Sequence, residues 1–132
     1  MDMIEQWGKK LYGAEEIDTM IKHLCCLIPR EKYRAILGIA RGGLIPAIYL
    51  SHLLDLPLLF QLPEKGDTND ILVVDDLVDT GKTIKGLLQD TAVIFYKPRS
   101  IVKPTFYVTE VPNDEWIVFP WEHLDEMPNR DL

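Results

Sequence analysis

Three carboxylates and a phosphate-type turn are gathered in one stretch, Ile71-Leu72-Val73-Val74-Asp75-Asp76-Leu77-Val78-Asp79-Thr80-Gly81-Lys82-Thr83. Four apolar residues running straight into two acids read as a buried parallel strand followed by a turn that opens a helix. Acids at the carboxyl end of such a strand stand where open α/β sheets bind ligands. The Thr80-Gly81-Lys82-Thr83 step then offers backbone N–H groups, two hydroxyls and the positive end of a helix, a set that suits a phosphate. Carboxylates and phosphate cradle lie side by side in one loop. A ligand bearing hydroxyls (or a metal) together with a phosphate monoester satisfies both, so a sugar phosphate is the economical reading.

Other readings compete for the same residues. A P-loop needs a glycine five positions before the Gly of Gly-Lys-Thr. That position is Asp76, and the acids precede the turn, so the P-loop fails. A phosphoacceptor receiver domain also places an acid pair after a strand, but here the pair lies past mid-chain and no aspartate ends a later strand. The plain alternative is a solvated loop with Asp79 or Thr80 capping a helix. A second strand-end loop, Arg41-Gly42-Gly43, follows the apolar run Ala35–Ala40. Its glycines permit close backbone approach to an anion, and Arg41 adds fixed charge with bidentate donors. Alone it is an ordinary tight turn; beside the 71–83 segment it faces the same crevice.

The elements that must hold these loops follow from periodicity. Ile17, Met20, Ile21, Leu24, Leu27 and Ile28 share one face of a helix over residues 14–28, closed by Pro29. Residues 35–40 form a strand, 44–54 a helix with Pro46 in its tolerated first turn, and 58–60 a second strand. Polar residues 61–70 connect to the strand carrying Asp75. A short helix over 80–89 leads into a strand at 92–96. Alternating strands and helices predict an α/β fold with a central, mostly parallel sheet and helices on its faces. The tail breaks the alternation. Phe106-Tyr107-Val108 and Trp116-Ile117-Val118-Phe119, separated by Pro112-Asn113-Asp114, are expected to form a small C-terminal hood over the sheet edge.

With 132 residues, 47% apolar and 27% charged, the chain is one globular domain with a real core. Its net charge of −7 and lack of basic runs argue against nucleic acid as a partner. No apolar stretch is long enough to span a bilayer, and Met1-Asp2-Met3-Ile4-Glu5 lacks the regions of a signal peptide, so no membrane partner is expected. Cys25 and Cys26 are adjacent, a poor geometry for a disulfide, which points to a reducing compartment and by default the cytoplasm. His23, His52 and His123 have no partners at metal-ligand spacing, so zinc is not expected.

The 71–83 segment resembles the phosphoribosyl-pyrophosphate signature of type I phosphoribosyltransferases. The resemblance implies that Asp75 and Asp76 take the ribose hydroxyls, directly or through Mg²⁺ with Asp76 as the metal residue, and that Asp79, Thr80, Gly81, Lys82 and Thr83 wrap the 5′-phosphate. It implies a pyrophosphate-binding role for Ala40, Arg41, Gly42 and Gly43, where the bond entering the Arg position, here Ala40–Arg41, is often cis. The tail, Phe95-Tyr96-Lys97-Pro98 and then Trp116-Ile117-Val118-Phe119-Pro120-Trp121-Glu122, is similar to the bacterial 6-oxopurine branch of that family. By that likeness Lys97 hydrogen-bonds the purine 6-oxo group, Trp116 stacks on the base, and the Ile117 backbone and Glu122 meet the edge bearing position 2. Trp121 is expected to be a packing residue. The implied fold is that of the type I phosphoribosyltransferases, a single domain with its core over about 14–97 and the hood over about 98–132.

The implied reaction moves ribose 5-phosphate from phosphoribosyl pyrophosphate to N9 of a 6-oxopurine (guanine, xanthine or hypoxanthine), releasing pyrophosphate. Arg41 would stabilise the leaving group, and Asp79 is the candidate general base at purine N7. The family habit implies a homodimer or tetramer. One departure stands out: the family carries a long mobile loop where this chain has only the ten residues Gln61 to Asp70, with Lys65 its one cation. That shortness supports an alternative reading, a weakly catalytic or non-catalytic sensor of phosphoribosyl pyrophosphate or a nucleotide.

Overall fold

The computed structural model describes residues 9–122. The larger of its two units, Met20–Asn113, holds a five-stranded sheet. The strands are β2 (Ala35–Gly38), β3 (Leu58–Leu59), β4 (Ile71–Val78), β5 (Thr91–Tyr96) and β6 (Phe106–Glu110), in the spatial order β3-β2-β4-β5-β6. Every neighbouring pair is parallel, with Leu37 opposite both Leu59 and Val73, Asp75 opposite Val93 and Val93 opposite Tyr107. The chain steps outward from β2 to β3 and then crosses to β4 on the other side of β2. The carboxyl ends of β2 and β4 therefore flank a topological switch point.

Burial follows from strand position. Ile71–Val74 of β4 and all six residues of β5 are buried, as expected of central strands covered on both faces. The helix α2 (Leu44–Leu54) packs on β2 and β4 through Pro46, Ala47, Leu50 and Leu54. Its C-terminal carbonyls are satisfied by Arg30, whose Nε donates to Leu54 O at 2.5 Å and whose Nη2 donates to Asp55 O at 2.9 Å. The helix α1 (Ala14–Leu27) buries Ile17, Ile21 and Leu24, spaced four and three apart as the apolar stripe predicts. Glu15 and Glu16 sit in its first turn, where acids complement the helix dipole, and Glu16 accepts the Gly13 amide at 3.1 Å.

The smaller unit takes residues 9–19 and 114–122 of the described chain. In it β1 (Lys9–Leu11) pairs in parallel with β7 (Trp116–Val118), Lys9 lying opposite Trp116. Tyr12 continues the pairing, its amide donating to Val118 O at 2.9 Å.

Two expectations are corrected. The segment around Phe106-Tyr107-Val108 is not part of a hood: it forms β6, the fifth parallel strand of the main sheet, so the tail's separate unit starts at Asp114 rather than near residue 98. The connection over 97–105 contains no helix, which hid the crossover from a reading based on alternation. Nor is there a helix over 80–89. Those residues form a single turn, with one α-type bond from Lys85 N to Gly81 O at 2.9 Å. Gly81 and Gly86 bracket it, both at φ 84°, a backbone region foreign to a right-handed helix.

Candidate active site

Asp75 and Asp76 lie inside β4, which runs four residues past the apolar stretch Ile71–Val74 rather than stopping where the acids begin. Because β2 stops at Gly38, opposite Val74, the two acids extend beyond their neighbour's end and face the loop that leaves β2. That loop crosses directly against them. A side chain at Gly42 would collide with the Asp76 carboxylate, and one at Gly43 would lie 2.6 Å from Ile39 O, 2.7 Å from Val74 O and 2.9 Å from the Asp75 Cα. Only glycines allow the crossing. The Ala40–Arg41 peptide bond is cis, as the resemblance implied, and Arg41 is exposed.

The acid pair is electrostatically crowded. The Asp76 amide donates to Asp75 Oδ1 at 2.9 Å, and the Leu77 amide to Asp76 Oδ1 at 2.8 Å. Burial above all, and then the neighbouring Asp76 charge, push the Asp75 carboxyl well above the ordinary carboxylate range. A carboxylate so placed gains from any cation or hydroxyl that comes to it.

Beyond β4 the chain turns through Asp79–Thr83. A pocket of about 100 Å³ is lined by Asp75, Leu77, Val78, Asp79, Thr80, Gly81, Thr83 and Ile84. Gly81 is buried, and a side chain on it would meet the Ser100 hydroxyl and the amides of Ile101 and Val102. The 97–102 loop after β5 thus backs the phosphate-type turn, and Ile101 N donates to Thr80 O at 2.9 Å.

Lys97, at the end of β5, is 5% exposed, with its Nζ 3.8 Å from Asp79 Oδ2. Burying an ammonium is costly without a counter-charge, and Asp79 supplies it. A second cation, Arg99, meets the other oxygen: its Nε donates to Asp79 Oδ1 at 2.6 Å and its Nη2 pairs with the same atom. Sequence reading missed Arg99. Twenty residues separate it from Asp79, and only the parallel pairing of β4 with β5 brings the two strand ends together.

The larger unit therefore assembles Arg41, Gly42, Gly43, Asp75, Asp76, Asp79–Thr83 and Lys97 at the carboxyl ends of adjacent parallel strands and on the loops that leave them. Trp116, Ile117 and Glu122 belong to the smaller unit. There Trp116 is 60% exposed, and the Lys9 ammonium sits over its ring at 4.5 Å, a cation–π contact. Ile117 is buried on β7. The Glu122 carboxylate accepts the Phe119 amide at 2.9 Å. Trp121 stacks on Phe119 with centroids 4.7 Å apart, the packing role expected of it. His123 lies outside the described residues. Among those described, no cluster of three or more His, Cys, Asp or Glu has the arrangement of a metal cage, and no helix is long and apolar enough to cross a membrane.

The chain is 36% identical over 117 aligned residues to the xanthine-guanine phosphoribosyltransferase of Cereibacter sphaeroides, the match covering 68% of this chain and 70% of that one. The chain belongs to the xanthine-guanine phosphoribosyltransferase family. Among solved structures, the purine phosphoribosyltransferase of Pyrococcus horikoshii is 34% identical with a TM-score of 0.74, covering 87% of this chain and 94% of its own. A Neisseria gonorrhoeae protein solved with bound ppGpp is 25% identical with a TM-score of 0.70, covering 89% and 92%. No protein-family model matches the chain. The two solved structures share the fold described above.

Proposed function

We infer that this chain transfers ribose 5-phosphate from phosphoribosyl pyrophosphate to N9 of a 6-oxopurine, releasing pyrophosphate. The observation that carries this reading is the crossing of the Arg41–Gly43 loop over Asp76, on the same strand whose end, with the Asp79–Thr83 turn, lines a pocket that Asp75 also borders. That crossing sets three recognition elements in the order of the substrate's own groups. The turn suits the 5′-phosphate, the acids suit the ribose hydroxyls, and the loop with Arg41 suits the pyrophosphate on C1′. As the N9–C1′ bond forms, the C1′–O electron pair leaves on pyrophosphate and the purine N7 proton passes to Asp79. Arg41 and the loop amides stabilise the leaving anion. Lys97, buried at the end of β5, donates to the 6-oxo group of the base.

The residues present fit Mg²⁺. Asp75 and Asp76 offer hard oxygen donors, and the raised proton affinity of half-buried Asp75 is the condition a divalent cation relieves. A magnesium ion needs only one or two carboxylates when substrate oxygens and water complete its shell. When bound it would neutralise charge on the pyrophosphate. An apolar strip on α2, Ile48, Tyr49 and Leu53, supports assembly into homo-oligomers.

The test is pyrophosphate release with Mg²⁺, phosphoribosyl pyrophosphate and a panel of nucleobases. Guanine, xanthine or hypoxanthine should give turnover and adenine little. A second reading, a nucleotide sensor on the same fold, has its own support in the Neisseria protein solved with ppGpp. Nucleotide binding by calorimetry without turnover on any base would favour the sensor.

A further inference from the structure

We propose that Arg99 is the positioning residue for Asp79, anchoring Oδ1 so that Oδ2 is the oxygen that takes the purine proton. The proposal rests on the reading of Asp79 as proton acceptor and adds to it an assignment of the working atom. A carboxylate on a turn has two equivalent oxygens and a rotatable χ1, so its geometry must be imposed from outside. Arg99 imposes it. Nε and Nη2 both reach Oδ1, which occupies that oxygen and sets the plane of the carboxylate. Oδ2 has a different neighbour, the Lys97 ammonium at 3.8 Å, beyond hydrogen-bond distance. A 6-oxopurine that draws Lys97 toward its own oxygen leaves Oδ2 open to the adjacent N7 proton, while Oδ1 stays held.

The anchor is itself anchored. The Arg99 amide donates to Asn113 Oδ1 at 2.8 Å, the Lys97 amide to Val78 O at 2.9 Å, and the Ile101 amide to Thr80 O at 2.9 Å. The 97–101 loop is thus stapled to the 78–80 segment on both sides of the ion pair. Pro98 limits the backbone between the two cations. Arg99 and Asp79 then behave as one unit, as an orienting group and a proton acceptor do in other active sites.

The experiment compares Arg99→Met, Arg99→Lys, Asp79→Asn and the double variant Asp79→Asn/Arg99→Met in steady-state transfer, with thermal melts to confirm folding. Arg99→Met should lower kcat about 10- to 100-fold with KM for phosphoribosyl pyrophosphate within about twofold, because the defect lies in proton removal. Arg99→Lys should recover part of the loss. The double variant should be no slower than Asp79→Asn alone, since a residue acting through Asp79 has nothing to act on once the carboxylate is gone. Losses that multiply in the double variant would overturn the proposal. So would a defect confined to KM for phosphoribosyl pyrophosphate, which would make Arg99 a direct ligand contact, or full turnover in Arg99→Met. If Arg99→Met does not fold, Arg99→Gln takes its place in the same comparison. Asp79→Asn at full turnover would sink the proton-acceptor reading itself, and that outcome is distinguishable because it needs no Arg99 variant.

Discussion

At Asp75 a carboxyl group is held in a largely buried position against a second carboxylate, Asp76, and both conditions favour its protonated form. The folded state therefore keeps a proton over a pH range in which the unfolded chain has already lost it. Stability is greatest below the unfolded value and falls as pH rises from about 4 into the neutral range. Asp75→Asn removes the penalty while keeping the oxygen that accepts the Asp76 amide. At pH 7.5 and without divalent cation it should stabilise the protein by on the order of 1–2 kcal/mol, or roughly 4 °C in Tm per kcal/mol; at pH 4 it should do nothing. Nucleotide affinity should fall in the same variant if Asp75 takes a ribose hydroxyl, because an amide can neither ionise on ligand binding nor accept as strongly as a carboxylate. Melts that shift equally at both pH values would show that titration is not the cause. These acids were legible in the sequence because they sit in one contiguous segment with the phosphate turn. Arg99 was not, because its role exists only through tertiary pairing.

The strand-end loops obey packing more than propensity. At Gly43 the atoms that a side chain would meet are backbone, Ile39 O, Val74 O and Asp75 Cα, and the last two cannot give way without moving β4. At Gly42 the obstacle is the end of a side chain, Asp76. Gly43→Ala should therefore destabilise the fold by about 1–3 kcal/mol. Gly42→Ala should fold near normally and lose affinity for phosphoribosyl pyrophosphate, since Asp76 must turn away. Chemical denaturation and calorimetry on the pair separate the two effects, and equal stabilities would refute the argument.

The turn after β4 shows why part of this scale was hidden. Ile84, Leu87 and Leu88 have helical spacing, but Gly81 and Gly86 both adopt positive φ, and Leu88 is left 83% exposed. Without a helix there is no extended dipole behind the phosphate. The proposed phosphate binding therefore rests on the loop amides and on the hydroxyls of Thr80 and Thr83. Thr83 is exposed and lines the pocket, so Thr83→Val should leave the melt unchanged and weaken nucleotide binding about 10-fold, the worth of one hydrogen bond to a charged group. Unchanged affinity would remove Thr83 from the phosphate site.

At the scale of the whole molecule, what governs the chemistry is how much chain remains to cover the reacting ribose. The connection from β3 to β4 is short, and its second half is pinned away from the carboxyl end of the sheet. Arg34, just before β2, donates through Nε to Asp70 Oδ1 at 2.8 Å and through Nη2 to Asp67 O at 2.9 Å. Gln89 holds Thr68 at 2.7 Å. Of this connection, only residues 60–66 remain to act as a cover, and they begin with Phe60 at 75% exposure. Lids work by excluding water and completing the site, and seven residues cannot do this as a long mobile loop does. Phosphoribosyl pyrophosphate should therefore be hydrolysed measurably in the absence of a base, and transfer should be slow. Release of ribose 5-phosphate followed with and without guanine gives the ratio of hydrolysis to transfer. Inserting a longer, Gly- and Ser-bearing segment between Glu64 and Asp67 should lower that ratio while leaving the Arg34 anchor intact. Fast transfer with negligible hydrolysis in the natural chain would mean that water is excluded by another body, and the exposed Phe60 together with the apolar strip on α2 makes a second copy of the chain the first place to look.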